Sequence, residues 1–118
     1  MALSLGGVVV HGDGLGKTYG YPTANINCSN KNVKISQGVY AAWVTVEHKK
    51  YKAALVVQIK PWKVETFLID FDGKDLYGTY IEAEPVQKIS ELERYDTQEE
   101  LIKKIDDDVK MVREVLGS

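Results

Sequence analysis

"GVYAAWVTVEHKKYKAALVVQI", Gly38 to Ile59, decides the fold class. Two runs rich in Val, Tyr and Trp, Gly38 to His48 and Tyr51 to Ile59, flank a short polar step at Lys49-Lys50. Such runs fit the half-buried surface of a pleated sheet, and a short polar step between them predicts an antiparallel hairpin. His48, Lys49 and Lys50 are expected at its solvent-exposed tip.

The same pattern continues on both sides. Upstream, "GVVVHG" (Gly7 to Gly12) is a β-branched run closed by glycine. Downstream, "VETFLID" (Val64 to Asp70) alternates, so Val64, Thr66 and Leu68 share one face and Glu65, Phe67 and Ile69 the other. "FDGKDLYG" carries Asp-Gly turn chemistry, with Tyr77-Gly78 as a packed turn. "TYIEAEPVQKI" (Thr79 to Ile89) reads as a further strand in which Pro85 marks a bulge or an edge. The period then changes. Thr97 with Glu100, or Asp96 with Glu99, has capping-box spacing, and Leu101, Ile105, Val109, Val112 and Leu116 recur at helical spacing up to a cap at Gly117. Five or six antiparallel strands and one late helix predict a mostly β chain. It should form a small closed barrel, with the helix on its outside or across one mouth.

Composition agrees with a single domain over residues 1–118. The chain is 44% apolar and 27% charged, which suffices for a core without staples. Its one cysteine, Cys28, forms no internal disulfide and no zinc pattern. A net charge of −2 argues against a general nucleic-acid binder. No apolar run approaches the roughly 20 residues of a bilayer-spanning helix, and "MALSLGG" lacks a signal peptide's charged start. A cytoplasmic setting without membrane attachment is therefore expected.

"HGDGLGKTYGYPTAN" (His11 to Asn25) holds four glycines in nine residues and a Gly-Lys-Thr triplet. It is not a Walker A loop, which would need glycine at position 11, where His11 stands. The dinucleotide fingerprint also fails, because Lys17 occupies its third glycine position. The physics of phosphate binding survives those failures. Gly12, Gly14 and Gly16 let backbone N–H groups turn toward one point, and Lys17 adds a mobile positive charge. After Pro22, Thr23 and Asn25 flank Ala24 in an extended stretch, so both side chains point the same way. A hydroxyl and an amide oxygen together suit Mg²⁺. A glycine-rich surface turn accounts for the same spacing. His11 reads as structural. Asp106-Asp107-Asp108 could suggest a metal site, but three consecutive positions do not share a helix face, and a solvated face is the better account.

The chain resembles the riboflavin kinase family. "GGVVVHGDGLGKTYGYPTANI" is similar to that family's opening strand and its G-[FY]-P-T-A-N signature. "GVYAAWV", "VETFLIDFDGKDLYG" and "YDTQEELIKKIDDDV" follow in the family's order. The resemblance implies a six-stranded antiparallel Greek-key barrel with a C-terminal helix. It also implies transfer of the γ-phosphate of ATP to the ribityl 5′-hydroxyl of riboflavin, giving FMN and ADP. By the same resemblance Gly12, Gly14, Gly16 and Lys17 face the ATP phosphates. Thr23 and Asn25 hold Mg²⁺ (or Zn²⁺) and the transferring group, and Glu65 is the catalytic base. The protein is expected to be a monomer, standing alone or within a larger FAD-synthesising protein.

The sequence departs from the family pattern in two places. Gln58 and Lys60 replace a usual Asn and Gly ahead of a shortened Lys60-Pro61-Trp62-Lys63 loop, where Trp62 either stacks on the flavin or packs over the barrel mouth. Before the helix, Ser90 stands near the usual Arg, with Arg94 shifted and Tyr95 in place of Phe. Trp62, Arg94 and Tyr95 are the flavin-contact candidates. These departures keep two alternatives open: a non-catalytic flavin- or nucleotide-binding relative, and a protein-interaction barrel.

Overall fold

The computed structural model describes residues 3–11, 21–29, 34–72 and 74–117. Among the described residues six strands and a helix follow in chain order: β1 Leu5–Val10, β2 Thr23–Asn27, β3 Gly38–Val46, β4 Lys49–Gln58, β5 Lys63–Leu68, β6 Tyr80–Ser90, and α1 Gln98–Leu116. All neighbouring strands run antiparallel, and the sheet closes as β1-β2-β5-β4-β3-β6. Strands β3, β4 and β5 follow one another as a meander. The chain between β2 and β3 crosses to the far side of it, a Greek-key connection. Closure removes the unpaired edges that an open sheet of six strands would present.

Alternation sorts the side chains into two cores. Leu5, Val9, Ala24, Ile26, Tyr40, Ala42, Val44, Leu55, Val57, Val64, Leu68 and Ile81 fill the barrel. The opposite face of β3, β4 and β5 contributes Val39, Ala41, Ala54 and Phe67 to a second cluster with Ile105, Val109 and Val112 of α1. The helix therefore lies outside the barrel, against β3, β4 and β6. The expected split of β5 holds: Val64 and Leu68 point in, while Phe67 and Ile69 pack under α1.

The helix starts as its sequence predicts. Thr97 is the N-cap, and its Oγ1 accepts from Glu100 N at 3.1 Å. Glu100 reaches back one residue further than a capping box would, to Asp96 N at 3.2 Å. Gly117, at φ 95°, ends the helix in a conformation that suits glycine.

Four expectations need correction. The β3–β4 turn is Glu47-His48, with φ of 48° and 73°, and Lys49 and Lys50 lie inside β4 opposite Val46 and Thr45. Positive φ at both central residues gives the twist that a two-residue hairpin loop needs, and this outweighed the polarity of the lysines. The first strand runs from Leu5 to Val10 and stops short of His11. Tyr77 stays out of the core: the residue is 56% exposed and its ring stacks on His11 at 3.9 Å, while its N–H closes an Asx turn on Asp75 at 2.9 Å. The three aspartates are not one solvated face. Asp107 is exposed, Asp106 is half-buried and Asp108 is buried. Pro85 does mark a bulge, for the β3–β6 register shifts between Ala41 opposite Gln87 and Ala42 opposite Pro85.

Candidate active site

The site forms where β2 and β5 lie side by side. Asn25 is directly opposite Glu65, and Thr23 is opposite Phe67. Residues paired across antiparallel strands point to the same face, with Cβ atoms roughly 4.5–5.5 Å apart. Ala24 and Ile26 point into the barrel, so Thr23, Asn25 and Glu65 share its outer face beside the helix. The carboxylate thus stands next to the two neutral oxygens on one surface, not across a cavity from them.

Each donor has a definite environment. Thr23 Oγ1 donates its proton to Tyr21 O at 3.2 Å, which leaves the oxygen's lone pairs free to accept. Asn25 is only 8% exposed, and its amide makes no hydrogen bond to a described residue. The N–H of Leu68 is held by Pro22 O at 2.9 Å, so the proline-led turn is tied to the strand that carries Glu65.

A cleft of about 350 Å³ opens beside Asn25 toward Trp62, lined by Val10, His11, Asn25, Asn27, Trp62 and Lys63 among others, and Thr23 and Glu65 are not in its lining. Trp62 lies at the barrel mouth. Its indole N–H donates to Cys28 O at 2.6 Å, and its ring packs on the inner core. The short loop is braced by Gln58 Nε2 donating to Pro61 O at 3.0 Å and by Ile59 N donating to Gln37 Oε1 at 3.1 Å. Burial pushes the Cys28 thiol upward, away from the reactive thiolate.

Arg94 and Tyr95 do not line that cleft. They lie between β6 and α1, with Arg94 exposed and Tyr95 half-buried. Burial, then the charges of Glu93 and Asp108, push the Tyr95 phenol up to about 12. Ser90 joins a polar knot that sequence reasoning missed: its Oγ donates to Asp108 Oδ1 at 2.8 Å, and Lys104 Nζ reaches both Ser90 Oγ and Asp108 Oδ2 at 2.6 Å. The Lys104–Asp108 spacing of four residues was the readable signal. Also missed was the bond from Tyr21 Oη to Asp106 Oδ1 at 2.7 Å. Gly12, Gly14, Gly16 and Lys17 lie outside the described residues.

Comparison with known proteins agrees with this architecture. The family model described as "Flavokinase: Riboflavin kinase" matches residues 1–116. The chain is 35% identical over 115 residues to the RNA-binding riboflavin kinase RibR of Bacillus subtilis, covering 92% of this chain and 49% of that protein. It is also 35% identical over 119 residues to a bifunctional riboflavin kinase/FMN adenylyltransferase of Buchnera aphidicola, covering 93% of this chain and 37% of the relative. A solved riboflavin kinase from Trypanosoma brucei shares the fold with a TM-score of 0.73 at 24% identity, covering 96% of this chain and 76% of that one. The chain belongs to the riboflavin kinase family. It spans half or less of the length of these two curated relatives. Among the described residues, no helix is long and apolar enough to cross a membrane.

Proposed function

We propose that this chain transfers the γ-phosphoryl group of ATP to the ribityl 5′-hydroxyl of riboflavin, giving FMN and ADP. The observation that carries this reading is the pairing of Asn25 with Glu65, with Thr23 two residues before Asn25 on the same face. Phosphoryl transfer depends mostly on alignment and charge neutralisation, with a carboxylate orienting the attacking hydroxyl. Glu65 accepts the 5′-hydroxyl proton as that oxygen bonds to the γ-phosphorus and the bond to the β-phosphate oxygen breaks. The proton then passes to solvent. Family membership supports the same reaction.

Thr23 and Asn25 would hold Mg²⁺ with the nucleotide phosphates. The bound cation would supply charge neutralisation on the transferring group. The donor set fits: a hydroxyl and a buried amide are both hard oxygen donors. A donor set made of oxygens alone favours Mg²⁺ over Zn²⁺, which usually takes nitrogen or sulfur ligands. Gly12 to Lys17 would cover the phosphates. Arg94 and Tyr95 would meet the flavin from the helix side, with Trp62 bracing the mouth. The protein works as a cytoplasmic monomer, alone or joined to an FAD-forming partner domain.

The test is direct. Purified chain, riboflavin, ATP and Mg²⁺ should yield FMN, resolved from riboflavin by chromatography. Absence of FMN at high protein concentration, with both ligands shown to bind, would replace this reading by that of a non-catalytic binding relative.

A further inference from the structure

Residue 21 joins two parts of the molecule. At its ring end, the Tyr21 hydroxyl donates to Asp106 Oδ1 of α1 at 2.7 Å, across 85 residues of sequence. At its backbone end, the Tyr21 carbonyl accepts the Thr23 hydroxyl at 3.2 Å. Between them stands Pro22, whose ring fixes φ and whose carbonyl is held by Leu68 N. A displacement of Tyr21 therefore has little backbone freedom in which to dissipate before it reaches Thr23. The contact opposite Thr23 also belongs to the helix side, since Phe67 packs in the cluster with Ile105 and Val109.

From this we infer that Tyr21 and Asp106 are positioning residues, through which α1 sets the orientation in which the Thr23 hydroxyl receives the metal–nucleotide. The inference rests on the reading of Thr23 given above. It adds a residue from the aspartate triplet, more than eighty positions downstream, to the machinery of the reaction. It differs from simple anchoring of the helix, because α1 is held independently. Ile105, Val109 and Val112 are buried against the barrel. Lys104 and Asp108 tie the helix to Ser90, and the two terminal guanidinium nitrogens of Arg113 meet Asp70 at 3.3 Å. Loss of one phenol hydroxyl leaves those contacts in place and frees residue 21 alone.

The experiment uses the full chain and four variants: Tyr21→Phe, Asp106→Ala, the double variant, and Lys104→Met as a control that loosens α1 on its β6 side, away from Thr23. Calorimetry gives the affinity for ADP with Mg²⁺, steady-state kinetics gives KM for ATP and for riboflavin, and thermal melts report folding. A single hydrogen bond to a charged group corresponds to about ten- to a hundredfold, and a contact that acts only through Thr23 passes on part of it, about three- to tenfold. Tyr21→Phe and Asp106→Ala should each weaken Mg²⁺–ADP by that factor and raise KM for ATP alike, with KM for riboflavin moving less than about twofold. The double variant should be no worse than the worse single, because both remove the same bond. Lys104→Met should lower the melting temperature and leave Mg²⁺–ADP affinity unchanged. Wild-type affinity in either single variant would overturn the inference, as would an equal loss in Lys104→Met or additive losses in the double. A wild type that makes no FMN, with Mg²⁺–ADP affinity still lost on Tyr21→Phe, would refute the kinase reading and support the positioning role.

Discussion

Thr66 sits between the base candidate Glu65 and Phe67 on β5, and its side chain points into the barrel. It is fully buried, and its Oγ1 is without a hydrogen-bond partner among the described residues. Its strand neighbours are Ala24 on one side and Leu55 on the other, both apolar. Replacing Thr66 by Val swaps the hydroxyl for a methyl group of nearly the same shape. An unsatisfied buried hydroxyl costs about 1–3 kcal/mol, so the variant should gain about 1–2 kcal/mol once imperfect packing is allowed for. At about 2.1 cal/mol/K of unfolding entropy per residue over 118 residues, each kcal/mol moves the midpoint by about 4 °C. Calorimetry should therefore show Thr66→Val melting about 4–8 °C above the wild type. Thr66→Ala separates the two contributions, because it removes the hydroxyl but also leaves a methyl-sized void. If Thr66→Val melts below the wild type, the hydroxyl makes a favourable interaction in the barrel and the reasoning fails.

Further outcomes follow from the same geometry. Glu65→Gln keeps the shape of the site and removes the base, so kcat should fall about 10²–10⁴-fold in the FMN assay while ATP affinity changes little. Asp108→Ala strands Lys104, whose side chain is 12% exposed, and should cost about 3 kcal/mol by urea titration. The double variant Lys104→Met, Asp108→Leu should recover most of that loss. Tyr95 and Tyr21 both titrate near 12 in the folded chain against an ordinary value of 10. The folded state thus holds these protons more tightly, so their stabilising contribution is complete below pH 10 and declines as pH rises from 10 toward 12. Tyr95→Phe should flatten that part of the urea midpoint–pH curve; an unchanged slope would contradict the assignment.

The strands were legible because one physical rule, alternation between core and outer face, wrote itself into Val64-Glu65-Thr66-Phe67-Leu68. The helix was legible through the spacing of Ile105, Val109 and Val112. The same alternation predicted that Thr23 and Asn25 share a side, as the inward-pointing Ala24 and Ile26 require. What the sequence could not supply was which strands meet. That Asn25 lies opposite Glu65 depends on the β2–β5 pairing across the Greek-key crossing, and no local signal encodes it. The aspartate triplet was misread for a related reason. Its residues differ in burial because Tyr21 and Ser90 arrive from remote segments to satisfy two of them. The hairpin turn was missed by two residues, where backbone conformation at Glu47 and His48 overrode the polar character of the lysines.

The interleaving of Glu65 with Val64 and Thr66, and of Asn25 with Ala24 and Ile26, has an evolutionary consequence. Chemistry and architecture are threaded on the same two ribbons, one residue apart. An insertion or deletion of a single residue there would turn the reactive groups inward and the oily ones outward together. Descendants of this protein can acquire new ligands only by remodelling the connections around the barrel, because the two ribbons themselves cannot slide.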